Sequence, residues 1–138
     1  MKDLLGPASP VAGALKGFAP RREQLLMAEK VEEALAESRH LVVEAGTGVG
    51  KSFAYLVPAL LHLGGPRGPV VVATRTIALQ EQLVLKDIPL LLDVLGMRDL
   101  KVALAKGRGN YVCPRRTEMA HEEARGLAPG FDEDALER

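Results

Sequence analysis

The spacing of apolar and polar positions changes several times along the chain, and each change predicts an element. From Arg21 to Arg39 the apolar positions Leu25, Ala28, Val31 and Leu35 recur every third or fourth residue, with Glu29, Lys30, Glu32, Glu33 and Glu37 on the other face. That period matches the α-helical turn, so the stretch predicts an amphipathic helix with one buried stripe. Three short runs, Leu41-Val42-Val43-Glu44, Val70-Val71-Val72-Ala73 and Lys101-Val102-Ala103-Leu104-Ala105, read instead as strands. The second is wholly apolar and largely β-branched, as in strands buried on both faces. Helical patterns lie between them: Ser52 to about His62, with Pro58 expected to disturb the turn near Ala54, then Ile77 toward Lys86 behind Thr76 as N-cap. A further short helix, Leu90 to Leu95, is expected after Asp87-Ile88-Pro89 and before Gly96. Strands alternating with helices imply right-handed crossovers, so the expected fold class is α/β, a mostly parallel sheet with helices on both faces.

Punctuation and charge divide the chain further. Gly6, Pro7, Pro10, Gly13, Gly17 and Pro20 predict a flexible lead-in over residues 1–20, with at most a short turn around Val11 to Leu15. Gly64-Gly65-Pro66-Arg67-Gly68-Pro69 reads as a loop. Past Lys106-Gly107-Arg108-Gly109-Asn110, a basic cluster of Arg108, Arg115 and Arg116 gives way to Glu118, Glu122, Glu123, Asp132, Glu133, Asp134 and Glu137. The expected organisation is therefore a lead-in over 1–20, a main body over 21–110 and a helical or disordered segment over 111–138.

Composition narrows the class. The 138 residues are 47% hydrophobic and 26% charged, enough for one soluble domain with a core. Formal net charge is zero, so any nucleic-acid contact has to come from a local patch. No uninterrupted apolar run has membrane-spanning length, and Met1 to Pro7 lacks the apolar centre of a signal peptide. With a single cysteine, these features predict a cytoplasmic protein without disulfides and without a membrane partner.

The chemistry is concentrated in Glu44-Ala45-Gly46-Thr47-Gly48-Val49-Gly50-Lys51-Ser52, entered from an apolar run and followed by a helical pattern. A loop of small residues between strand and helix lets successive backbone N–H groups face one anion, and the helix start adds partial positive charge. The strict pattern is G-x-x-x-x-G-K-[ST]; Ala45 stands at its first glycine, which the relaxed Walker A form admits. Lys51 is then expected to reach the β- and γ-phosphates of a nucleoside triphosphate, and the Ser52 hydroxyl to ligate Mg²⁺. The nucleotide-binding candidates are Ala45, Gly46, Thr47, Gly48, Val49, Gly50, Lys51 and Ser52, with Lys51 also the catalytic candidate.

Four separated segments resemble, in order and spacing, the DinG/XPD-like branch of superfamily 2 DNA helicases, the branch that carries an iron–sulfur cluster. They are Arg21-Arg22-Glu23-Gln24 with Met27-Ala28, the loop just described, Ala73 to Leu83 (Ala-Thr-Arg-Thr-Ile-Ala-Leu-Gln-Glu-Gln-Leu), and Lys106 to Pro114 (Lys-Gly-Arg-Gly-Asn-Tyr-Val-Cys-Pro). The resemblance covers about residues 18–120. It implies an incomplete RecA-like P-loop domain using ATP and Mg²⁺, acting on single-stranded or forked DNA and serving DNA repair. It implies further that Gln24 reads the adenine edge, whose donor and acceptor suit a carboxamide. Thr74, Arg75 and Thr76 would hold the DNA backbone through hydroxyls, amides and charge, with Arg108 adding to the DNA contact. Cys113 matches the first of the family's four [4Fe–4S] ligands, in an insertion that acts as a wedge at the fork; one cysteine alone predicts no cluster in these 138 residues.

The chain lacks the Asp-Glu-Ala-His motif that such an enzyme uses to complete the Mg²⁺ site and activate water, and Asp132-Glu133-Asp134-Ala135 reads as acidic surface. The expectation is the N-terminal part of a first motor domain, inactive by itself. Two other readings remain open: a small P-loop kinase, with Arg108, Arg115 and Arg116 as its lid, and a non-catalytic nucleotide- or DNA-binding remnant.

Overall fold

The computed structural model describes residues 1–63 and 68–127, and for residues 124–127 the backbone alone. Two compact units partition the chain, residues 1–104 and 105–138. The expected loop at residues 64–67 and the acidic run at 132–135 lie outside the described residues.

In the first unit the helical periods become helices. α1 (Lys2–Leu5) and α2 (Pro10–Ala14) are short, and Ser9 caps α2 by accepting from Ala12 N at 3.1 Å. α3 (Arg22–Ala36) occupies most of the stretch predicted from its apolar stripe, and α4 (Lys51–Leu63) follows the glycine loop. α5 (Ile77–Gln82) starts at Thr76, whose Oγ1 accepts from Leu79 N at 3.3 Å. The chain then continues through a π-helical turn, Leu83–Asp87, into α6 (Ile88–Val94). Two helices separated at Asp87-Ile88-Pro89 were expected from sequence, and the wide turn explains their continuity. Ile88 N donates back to Leu83 O, five residues away, which opens the carbonyl ladder where the Pro89 ring would otherwise press on it.

Leu5, Val11, Ala28, Ala54, Leu56, Val57, Leu60, Leu83 and Leu91 form one buried cluster, with α3 and α4 packed together at its centre. Phe18 meets Phe53 edge to face, ring centroids 6.5 Å apart. Leu5 and Val11 are fully buried, so the residues expected to form a flexible lead-in contribute to the core. Gly6 and Pro7 turn the chain between two short amphipathic pieces, and burial of those two side chains, worth roughly 1.5–3 kcal/mol each, holds them down.

The expected α/β class with a mostly parallel sheet is not what the structure contains. Among the described residues there is no strand, and residues 41–44, 70–73 and 101–105 form neither helix nor ladder. No backbone hydrogen bond joins residues 41–44, 70–73 and 101–104 to one another among the described residues. Val42 is 97% exposed and Val71 85%, the reverse of a buried strand. The physical reason is that a helix closes its hydrogen bonds within one segment, whereas a strand exists only through its neighbours. Apolar β-branched runs supply a preference for a paired surface, and pairing itself is a separate, non-local condition.

In the second unit, Arg108–Asn110 forms a single 3₁₀ turn and α7 (Pro114–Leu127) follows. Tyr111 closes the turn by accepting from Lys106 N at 2.8 Å through its hydroxyl, and Asn110 Nδ2 donates to Gly107 O at 3.2 Å.

Candidate nucleotide-binding site

The loop from Ala45 to Gly50 turns at two residues that only glycine adopts comfortably: Gly48 has φ +78° and Gly50 φ +83°. A Cβ added at Gly46 or Gly48 would meet nothing within 4 Å, so that side of the loop is open. The loop ends on the first turn of α4, whose opening backbone bond runs from Ala54 N to Gly50 O at 3.2 Å. The N–H groups of Lys51, Ser52 and Phe53 therefore stand ahead of the helical ladder, where an anion is favoured by donors and helix dipole together.

Lys51 folds back over this loop. Its Nζ donates to Ala45 O at 3.0 Å and to Gly46 O at 2.6 Å, so the ammonium stands at the loop's carbonyl rim. These acceptors are neutral, and a phosphate oxygen in their place would add the attraction between opposite charges. Thr47 is exposed and Val49 half-buried.

Gln24, on the first turns of α3, reaches the same loop. It is 2% exposed, and its Nε2 donates to Gly50 O at 3.0 Å. The structure thus brings together Gln24 and the 45–52 segment, which the sequence placed far apart.

Tyr55 was not among the sequence candidates. Burial raises its phenol above the ordinary 10.0, the Ser52 hydroxyl one turn earlier works against that, and Asp87 adds to the rise. Asp87 is itself buried at 8% exposure and accepts from Gln82 Nε2 at 3.0 Å. The signal for Tyr55 was present as helix spacing, since residues three apart share a face. The signal for Asp87 was not, because an ordinary helix would have ended before it.

Thr74, Arg75 and Thr76 form a separate turn. Thr74 Oγ1 donates to Thr76 O at 3.2 Å, Arg75 is exposed, and Thr76 caps α5. No hydrogen bond connects this turn to the glycine loop among the described residues. Arg108 and Cys113 belong to the second unit, and both are exposed. No group of three or more His, Cys, Asp or Glu side chains suited to a metal occurs among the described residues. A [4Fe–4S] cluster needs four thiolates, and the chain's one cysteine does not fit it. Ser52 offers one hydroxyl oxygen beside the loop, a ligand type that Mg²⁺ accepts. No helix among the described residues is long and apolar enough to cross a membrane.

Comparison with known proteins adds to this geometry. The profile of the family described as DEAD/DEAH box helicase matches residues 26–108. The chain is 46% identical over 134 residues to an ATP-dependent helicase DinG of Mycobacterium tuberculosis (strain ATCC 25618 / H37Rv), covering 91% of this chain and 20% of that protein. It is 43% identical over 119 residues to the ATP-dependent DNA helicase YoaA of Escherichia coli (strain K12), covering 86% and 18%. Against the ATP-dependent DNA helicase DinG of the same strain it is 45% identical over 109 residues, covering 77% and 15%. The chain therefore spans a fifth or less of the length of these relatives.

Proposed function

We propose that this chain, which belongs to the DEAD/DEAH box helicase family, supplies the triphosphate cradle of an ATP-dependent DNA helicase that couples ATP hydrolysis to unwinding. One observation carries the reading: the Lys51 ammonium sits on the Ala45 and Gly46 carbonyls beside a loop that turns through two left-handed glycines. ATP enters with its β- and γ-phosphates toward the loop, and Lys51 exchanges the two carbonyls for phosphate oxygens. Amides at the start of α4 supply further donors, and the Ser52 hydroxyl would hold Mg²⁺. Mg²⁺, when bound, offsets charge on the phosphate oxygens. Thr74, Arg75, Thr76 and Arg108 contact the backbone of single-stranded or forked DNA, through hydroxyls and guanidinium charge.

The 138 residues alone bind Mg²⁺-ATP and turn it over negligibly, because the sequence contains no Asp-Glu-Ala-His to activate water. Calorimetric titration with Mg²⁺-ATP tests the cradle. Lys51→Ala, which removes a charge-assisted contact, should weaken binding by on the order of tenfold or more. Unchanged affinity in the Lys51→Ala chain would refute the cradle, and sustained phosphate release by the purified wild-type chain would refute its inactivity.

A further inference from the structure

Gln82 Nε2 donates to Asp87 Oδ2 at 3.0 Å, and these two residues bracket the π-helical turn between α5 and α6. In an α-helix, residues five apart point about 140° away from each other, too far round the axis for such a bond. In a turn closed by bonds between residues five apart, they return to roughly the same side. The side-chain bond therefore belongs to the same wide register as the backbone bond from Ile88 N to Leu83 O. Gln82 is exposed and Asp87 buried, so a surface side chain is drawn onto a buried carboxylate, which would lose this donor if the turn narrowed. The turn packs against α4, and beyond it α6 is anchored by the fully buried Leu91. α5 buries none of its residues, although its Leu79 packs against the core cluster. Narrowing the turn by one residue would rotate α5 relative to α6 by about 100° and slide it by about 1.5 Å. Thr76, which caps α5, and the adjoining Thr74 and Arg75 would swing with it.

We propose that Gln82 and Asp87 are positioning residues whose bond latches the π register and so sets the direction in which α5 presents Thr74, Arg75 and Thr76 to a nucleic-acid backbone. The inference rests on the DNA contact proposed above for those three residues and adds what aims them. Pro89 makes the ordinary register costly, but a kink would relieve its ring as well; the latch selects the wide turn. Groups aimed before the ligand arrives bind it more tightly than groups that must first be oriented. Breaking the latch therefore weakens DNA binding and leaves the glycine loop able to bind Mg²⁺-ATP.

The test compares the wild-type chain with Gln82→Ala, which removes the donor from an exposed position, by fluorescence titration of a labelled oligothymidylate and calorimetric titration of Mg²⁺-ATP. In parallel, the NMR coupling across the hydrogen bond from Ile88 N to the Leu83 carbonyl reads the register directly. Gln82→Ala should abolish that coupling and weaken oligothymidylate binding about threefold to tenfold, the scale of one hydrogen bond, with Mg²⁺-ATP affinity unchanged. Asp87→Asn, which keeps a carbonyl acceptor for Gln82, should retain both the coupling and the DNA affinity. If Gln82→Ala gives no cooperative melt, Gln82→Met, closer in length, carries the same comparison. A coupling that survives loss of the Gln82 donor would overturn the latch, whatever the affinities. A lost coupling with unchanged DNA affinity would overturn the aiming role, and equal weakening of both ligands would overturn it in favour of general destabilisation. Arg75→Ala runs alongside: if it weakens oligothymidylate binding while Gln82→Ala does not, the positioning role fails alone. If Arg75→Ala leaves that affinity unchanged, the DNA contact itself fails.

Discussion

Gly48 and Gly50 separate two physical costs that usually come together. Both lie in the left-handed region, at φ +78° and +83°. An alanine at either position incurs the conformational penalty of roughly 1–2 kcal/mol. At Gly48 that is the whole effect, because a Cβ there meets nothing within 4 Å. At Gly50 the new methyl group also lands on the Gln24 carboxamide, with Cδ 2.9 Å away. The side chain has to leave Gly50 O, which removes a hydrogen bond worth about 1 kcal/mol and disturbs a buried polar group. Gly50→Ala is thus expected to cost at least about 1 kcal/mol more than Gly48→Ala. For a chain of this length the difference is a melting midpoint lower by roughly 4 °C, readable by circular dichroism because the described residues are largely helical. In a Gln24→Ala background the excess should vanish, since no carboxamide remains to be displaced. Equal midpoints for Gly48→Ala and Gly50→Ala, or an excess that survives in the Gln24→Ala background, would refute the close approach of Gln24 to the loop.

Other outcomes follow from the same geometry. Leu91 is fully buried, and Leu91→Ala should destabilise the chain by about 2–5 kcal/mol in denaturant unfolding, whereas Leu85→Ala, at a position 71% exposed, should stay within about 0.5 kcal/mol. Tyr55, with its pKa raised above 10.0 chiefly by burial, holds its proton more tightly folded than unfolded. Its contribution is therefore complete below pH 10 and is lost as pH rises through the folded value. Tyr55→Phe should flatten part of the alkaline loss of stability, and phenolate absorbance should show Tyr55 ionising later than a free tyrosine. An unchanged alkaline limb would contradict its burial beside Asp87.

What could be read from the sequence was what is local. The apolar stripe of Leu25, Ala28, Val31 and Leu35 locates α3, and the run after Gly50 locates α4, because helical hydrogen bonds close within a few residues. Glycines at 48 and 50 stand at the left-handed turns of the loop, an equally local matter, because a residue without a Cβ adopts positive φ at little cost. Long-range conditions were not legible. Three apolar runs promised strands, yet Val42 and Val71 lie exposed, since pairing depends on partners that periodicity does not specify. The glycines and prolines before residue 20 hid the burial of Leu5 and Val11, which arises from contacts with distant helices. The turn at Leu83–Asp87 was hidden because its widening answers Pro89 by changing the hydrogen-bond register, and apolar spacing alone does not register that change. At the candidate site, the phosphate-loop residues are adjacent in sequence and easy to find. The Gln24 to Gly50 bond became visible only with α3 and α4 packed together.

On the proposed reading, the amides and ammonium around Gly46 to Ser52 receive a triphosphate. Two-dimensional ¹⁵N–¹H spectra of the 138-residue chain, titrated with Mg²⁺-ATP, test it residue by residue. The largest shifts are expected at Gly48, Gly50, Lys51 and Ser52, saturating together and abolished in the Lys51→Ala chain. Shifts centred elsewhere, with those four amides unmoved at saturation, would contradict it.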